Sequence, residues 1–413
     1  MADDESRIQI DGSVLSAEAK AGTVVLSAPY PEGAIVQLGR RPHIFRNELR
    51  TYLPSRSLSL AATRLVGRGS DLEGRLKRGS DQISGVQHVS PLLEPVRLLG
   101  RVPVARRAFP NNMSLVKKLF DRSVAQQLTD QVDSFIGMPG ASLQSFKRPA
   151  IGQRVFHAVD GHPAVLNELL QLHYGRAARR EVVATVQVER IESELELADI
   201  VLAPSEAVQR QMLSRGVPAD RIFIEPYGVD FRLFSPERST DVNVSPQLLY
   251  VGQISYRKGI PFLLDAVRGQ RLSLKMVGPV VAPELLENLP ANVTYEGAVG
   301  HENLPKHFAE ADAFVLPSIE DAFALVVAEA LGVGLPVVTT TSVGASTLIT
   351  SASDGQVVAP GDVSALRNAL AQVMPLTQGD RIERAERHRA PHSGVRSWEQ
   401  YAAGVARAIG AAA

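Results

Sequence analysis

Two loops in the second half of the sequence bring charge to the start of a helix. In VGQISYRKGIPFLLDAV, Arg257 and Lys258 are adjacent, after a β-branched run and before a helical one. Two cations beside a helix N-terminus form an anion site, and a diphosphate is the guest that uses both. In LPSIEDAFALVVAEALGVGLPVVTT, Glu320 and Asp321 stand in a loop and a helix is predicted from near Phe323. Backbone N–H groups around Ala324 and Leu325 have no partner within such a helix and can hold phosphate. A carboxylate at the same mouth suits sugar hydroxyls, because each oxygen accepts hydrogen bonds. Glu329 lies among Leu325, Val326, Ala328 and Ala330, so it is expected to be buried, which is costly without a partner. A solvated basic pair and a structural carboxylate remain the plain alternatives.

The elements that position these loops alternate. Runs at 248–252, 272–278, 292–297, 313–318, 336–340 and 356–360 read as strands, and helical stretches follow near 260–268, 283–288, 301–310, 323–331, 344–350 and 362–374. Pro261 and Pro283 fit first helical turns, and Asp362 is a plausible N-cap. Six βα units in succession imply a parallel sheet with helices on both faces, with ligands beyond the C-terminal strand ends. The first half is less regular. GTVVLSAP and RVFHAV read as strands, 181–197 as a helix, and ADIVLAPSEAVQRQMLSRGV as a strand, a Ser205 cap, a helix and a Gly216 stop. Elements within 67–150 are not placed by pattern. A polar, proline-bearing stretch at 234–247 reads as the boundary, giving domains at 1–235 and 236–395. A closing amphipathic helix within 396–413 is expected to pack back on the first domain.

The 413 residues carry no net formal charge, but seventeen Lys/Arg face six Asp/Glu between Val36 and Val124. Such a basic half suits an anionic acceptor or an anionic membrane surface, or is simply an Arg-rich solvated face. There is no cysteine, which removes disulfides, thiol catalysis and thiolate metal sites. The start, MADDESRIQIDGSVLSAEAK, lacks a signal-peptide pattern, and no apolar run approaches the roughly 20 residues of a membrane helix. A cytoplasmic protein is expected, with contact at the inner membrane surface as its only membrane association. No D-x-D follows a strand of the second domain and no cluster has metal-ligand spacing, so a metal-independent site without cofactor is expected. Hydrolase, NTPase and dehydrogenase motifs are missing too, and no nucleic-acid partner is implied.

Pro317, Ser318, Phe323, Leu325, Glu329, Ala330, Gly334, Pro336, Val337 and Val338 resemble the signature of retaining family 4 glycosyltransferases of GT-B fold. In that pattern seven residues separate two Glu; Asp321 takes the first place, and Ala322 and Ala324 replace two glycines. Lys258 and Gly259 fit the family's upstream G-R-L-x-x-x-K-G loop, while Gln253 stands for its Arg, a charge that Arg257 can supply. The segment 198–235 and SWEQYA near the end continue the likeness, which covers 198–408 well and 22–197 loosely.

The resemblance implies two Rossmann-like, doubly wound domains with an interdomain cleft. It implies transfer from a nucleotide-sugar donor, UDP- or GDP-linked, to a carbohydrate, lipid-linked or small-metabolite acceptor. Arg257, Lys258 and the amides at Ala324 and Leu325 would bind the diphosphate, and Glu329 the ribose. Asp321 or Glu320 would meet sugar hydroxyls, and Gly297, Ala298 and Val299 the nucleobase. Gly33 would approach the transferred sugar, and His162 takes the place of an active-site polar residue or is structural. Ala322 and Ala324 are expected to fit with negative φ, as at a helix start. The departures at Gln253, Asp321, Ala322 and Ala324 also suit a weakened partner or binding subunit. An epimerase or a pseudo-sugar coupling enzyme on the same fold is a further alternative.

Overall fold

A computed structural model describes residues 22–29, 34–45, 48–54, 83, 86–89, 93, 112–234, 236–237, 245–390 and 393–410. The glycine loop at Gly33 and most of the boundary stretch at 234–247 lie outside these described residues.

The chain forms two parallel sheets. The first contains β1 (Thr23–Ser27), β2 (Glu48–Pro54), β3 (Val86–Val89), β4 (Val132–Gly137), β5 (Ile151–His157), β6 (Ile200–Ala203) and β7 (Ile222–Ile224), in the order β3-β2-β1-β4-β5-β6-β7. The second contains β8 (Gln247–Val251), β9 (Ser273–Val277), β10 (Val293–Tyr295), β11 (Ala313–Leu316), β12 (Val337–Thr340) and β13 (Gly355–Val358), in the order β10-β9-β8-β11-β12-β13. Val24, Val25 and Leu26 are fully buried in succession, as are Phe314 and Val315. Continuous apolar burial is what helices on both faces of a parallel sheet require.

The helices of the first half are α1 (Ala34–Gly39), α2 (Asn112–Gln127), α3 (Leu143–Phe146), α4 (Pro163–Tyr174), α5 (Thr185–Leu197) and α6 (Glu206–Ser214). The second half adds α7 (Ile260–Val267), α8 (Leu304–Glu310), α9 (Leu325–Gly332), α10 (Val363–Ala371), α11 (Gln378–Arg389) and α12 (Trp398–Ala408). Two stretches expected as helices are single 3-10 turns, Pro283–Leu286 and Gly344–Leu348, and a third, His301–Asn303, runs into α8. The 67–150 region, unplaced by pattern, yields β3, α2, β4 and α3. Val116, Phe120, Asp121, Val124 and Ala125 of α2 are buried, while Met113, Leu115 and Leu119 are left outside, so its apolar periodicity is blurred.

Each sheet reverses its order once, between β1 and β4 and between β8 and β11. At such a switch point the flanking loops diverge and leave a crevice beyond the strand ends. The crevice of the second sheet is lined by the loops 252–259 and 317–324, which hold the charged residues singled out above. The C-terminal strand ends of the two sheets meet: Ser205, after β6, donates to the carbonyl of Ala322, after β11, at 2.6 Å. Helix α12 packs on the first sheet. Its Tyr401 hydroxyl lies 2.7 Å from His157 Nε2 at the end of β5, and Glu399 pairs with Arg41 at 2.7 Å.

One local expectation fails. Ala324 has φ +66° and ψ +76°, the left-handed region, and it is the only non-glycine residue with positive φ among the described residues. Helix α9 therefore begins at Leu325, and Ala324 serves as its N-cap without a side-chain hydrogen bond. The chain must turn sharply there, since Asp321 and Phe323 are tied to the next loop through Gly344 N–H and Ala345 N–H.

Two predictions follow from these features. Ala324→Gly should relieve the strained conformation and stabilise the protein by about 1 kcal/mol, seen as a higher thermal midpoint. A lower midpoint would show that the Cβ contributes packing that outweighs the strain. Burial lowers His157 from 6.5 to about 4, so it is neutral when folded. Between those values the unfolded chain binds the extra proton, so stability is full above pH ~6.5 and falls as the pH drops towards about 4. Melting temperatures across that window should decline less steeply for His157→Gln than for the parent protein.

Candidate active site

The β8 loop turns back on itself before α7. Lys258 N–H donates to Ser255 Oγ at 3.2 Å, and Gly259 takes φ +72°. A Cβ at Gly259 would lie 2.0 Å from the Pro317 carbonyl, so only glycine lets the two crevice loops touch. Contact is sealed by Ile319 N–H donating to Arg257 O at 3.0 Å.

This approach brings the predicted charges together. Arg257 Nε lies 2.8 Å from Glu320 Oε2, and its Nη2 lies 3.1 Å from Asp160 Oδ1, which comes from the loop after β5. Lys258 Nζ lies 2.5 Å from Asp321 Oδ2. Burial works against the charge on Arg257, but Glu320, Asp160 and Asp321 outweigh it and raise its pKa. Burial raises the Glu320 carboxyl above the ordinary glutamate range; Arg257 pulls it down and Asp321 adds to the rise. Glu320 Oε1 is buried without a hydrogen-bond partner among the described residues. Glycine at 161 leaves room for that oxygen, since a Cβ there would lie 2.4 Å from it.

Ala324 and Leu325 lie at the uncapped start of α9 beside this cluster, so the first N–H groups of the helix have no side-chain acceptor. Glu329, two-thirds of the way along α9, is buried as expected, and its Oε1 lies 2.9 Å from His301 Nε2. His301 packs edge-on against Phe234, with ring centroids 5.4 Å apart. The loop just before it carries Gly297, Ala298 and Val299. Gly297 has φ +84° and accepts from Gly278 N–H at 2.8 Å, Ala298 is exposed, and Val299 packs at the edge of the core. His301, two residues after Val299, thus brings the expected nucleobase loop next to the expected ribose carboxylate in space.

His162 is fully buried at the N-cap of α4, where Nδ1 accepts from Ala164 N–H at 3.3 Å. Burial lowers it to about 4, so the ring is neutral at pH 7, and Nε2 has no hydrogen-bond partner among the described residues. The backbone N–H of His162 donates to Gln211 Oε1 at 2.7 Å. The cap explains its place in the sequence without a catalytic role. Among the described residues no three His, Asp or Glu side chains are grouped as metal ligands would be.

Sequence reasoning missed Asp160, Glu181 and His301. Asp160 sits two residues before His162 at the end of a predicted strand, a signal that was available. Glu181 accepts from Tyr256 N–H at 2.7 Å and Arg257 N–H at 2.9 Å, and only the tertiary fold brings it there.

Comparison with known proteins agrees with this geometry. Residues 245–375 match the family described as Glycosyl transferases group 1. Sulfoquinovosyl transferase SQD2 of Arabidopsis thaliana is 29% identical over 184 residues, 40% of this chain and 36% of that protein. D-inositol 3-phosphate glycosyltransferase of Geodermatophilus obscurus is 30% identical over 248 residues, 52% of this chain and 53% of that protein. The chain thus spans about half the length, or less, of these curated relatives. Anabaena Alr3699/HepE, solved in complex with UDP and glucose, superposes with a TM-score of 0.62 at 17% identity, covering 94% of this chain and 99% of that one. With two parallel Rossmann-like sheets facing each other at their C-terminal strand ends, the chain has the GT-B fold.

Proposed function

We propose that the protein is a glycosyltransferase that moves a sugar from a nucleoside diphosphate sugar to a hydroxyl acceptor, with retention at the anomeric carbon. The observation that carries this reading is the cation pair Arg257–Lys258 at the switch point of the second sheet, paired with Glu320 and Asp321 in the loop that leads to the uncapped start of α9. Cations and helix N–H groups suit a leaving diphosphate, and carboxylates suit a polyol. The name of the Anabaena neighbour, solved with UDP and glucose, supports a uridine diphosphate donor.

In the structure each cation is already paired with a carboxylate. A diphosphate therefore enters by exchange: it takes Lys258 from Asp321 and releases that carboxylate to a sugar hydroxyl. The second oxygen of Glu320, which lacks a partner, is the other acceptor for the sugar. Glu329 holds the ribose once His301 yields one of its oxygens. The departing diphosphate oxygen takes the acceptor's proton on the same face of the sugar, so no separate protein base is needed. Retention is supported by the family resemblance.

The acceptor side is the first half. Helix α2 leaves Met113, Leu115 and Leu119 exposed beside Lys118 and Arg122, which supports peripheral contact with an anionic membrane and a lipid-linked acceptor. Among the described residues no helix is long and apolar enough to cross a membrane.

Two measurements test the reading. Calorimetry with UDP should show binding to the parent protein and a loss of about tenfold to a thousandfold in Lys258→Ala, as a charge-assisted contact to phosphate implies. Equal affinity in a folded variant removes the diphosphate site, and failure of any nucleotide sugar to bind at millimolar concentration moves the protein to a partner-subunit role. Sugar transfer should also persist in excess chelator, since the cations and α9 neutralise the phosphates. Activity lost to chelator and restored by Mg²⁺ would overturn the metal-free arrangement.

A further inference from the structure

We propose that Glu181 is a positioning residue, through which closure of the two halves sets the shape of the donor-phosphate loop. This rests on the assignment of Arg257 and Lys258 to the diphosphate. Glu181 belongs to the first half, and its two carboxylate oxygens each take one of two successive amides, Tyr256 N–H at 2.7 Å and Arg257 N–H at 2.9 Å. A carboxylate that chelates two adjacent amides fixes the peptide plane between them. That plane directs the Arg257 side chain, and Lys258 follows it in the chain.

The carboxylate is presented by a stiff segment. Glu181 N–H donates to Ala178 O at 2.9 Å, and Asn167 of α4 binds both backbone groups of Val183, at 2.8 Å each. A side chain whose backbone is tied on both sides holds its geometry better than one on a free loop. The outer surface of the phosphate loop adds a second attachment to the first half. Tyr256 packs against Tyr174 of α4 with centroids 5.0 Å apart, and Phe262 of α7 stacks on the same ring at 5.1 Å. The third attachment is the pair of Arg257 with Asp160.

These three contacts all cross from one half to the other, and all end on residues 256–262. The inner side of the loop is held within its own half by Pro317 and Ile319. Only the outer turn depends on the partner half. When the cleft opens, the amides of Tyr256 and Arg257 pass to water and Arg257 loses Asp160. When it closes, Glu181 rebuilds the turn that aims Arg257. Glu181 touches neither donor nor acceptor in this scheme; it acts through the peptide plane.

The test uses the full-length protein with UDP and UDP-glucose as probes. In Glu181→Ala, release of UDP from UDP-glucose should fall about tenfold or more at saturating donor, because small displacements of a catalytic cation cost that much. The Kd for UDP should change by less than about threefold, since Lys258 and the start of α9 remain. Deuterium uptake at Tyr256 and Arg257 should rise while the β8 and β11 cores stay protected. Glu181→Gln keeps one carbonyl acceptor and should fall between the two; it also serves if the alanine variant does not fold. Unchanged turnover in the variants overturns the proposal even if uptake rises, as does unchanged uptake at 256 and 257. A parent protein that neither binds nor cleaves UDP-sugars instead overturns the donor-site reading beneath it.

Discussion

A single guanidinium joins the two halves of this molecule at the place where chemistry is expected. Arg257 lies between Glu320 of its own half and Asp160 of the other, in a setting where burial alone would disfavour its charge. The buried pair within this ion triad, Arg257 and Glu320, is weak as a source of stability but unforgiving when one partner is removed, because the other charge is left desolvated and unpaired, whereas Asp160 reaches Arg257 from the solvent side. The loops that carry the three residues are therefore interdependent. The Gly259–Pro317 contact and the Ile319 hydrogen bond bring the loops close enough for the triad to form.

The charge arrangement also explains how an anionic ligand can be accepted where carboxylates already stand. Lys258 and Arg257 are neutralised by Asp321, Glu320 and Asp160, so the apposed loops are stable before any phosphate arrives. In the proposed function a diphosphate would offer the same cations a stronger partner and free carboxylates whose acceptor oxygens match sugar hydroxyls. The start of α9 has no side-chain cap, and Ala324 holds a strained left-handed conformation there. Strain of this sort is tolerated where surrounding contacts over-determine the backbone, as the ties from Gly344 and Ala345 do here.

The second half was the more legible because its strands and helices alternate at short, regular intervals and the apolar runs of β11 and β12 are wholly buried. The positions of Arg257, Lys258, Glu320 and Asp321 in loops, and of Glu329 within a helix, followed from that alternation. The first half was harder. Its α2 helix buries an aspartate, Asp121, and leaves Met113, Leu115 and Leu119 exposed, and its polar content hides β4 and α3. Buried carboxylates there serve the backbone: Glu194 accepts from the amides of Gly140, Ser142 and Leu143, at 2.6, 2.9 and 3.0 Å. Such a role carries no spacing that a reader of sequence could detect.

By itself the sequence determined the periodicity of the βα units and the kinds of group at each strand end, because burial and helix geometry impose repeats of two and 3.6 that survive in one dimension. It determined that a basic pair and an acidic pair would face a common crevice. Only the tertiary structure decided which charges meet. Asp160 and Glu181 are 97 and 76 residues from Arg257 along the chain, yet they complete its surroundings. Their roles depend on the angle at which two sheets present their strand ends, and on one alanine held in a glycine-like conformation. Both are set by packing between distant segments, which leaves no local pattern.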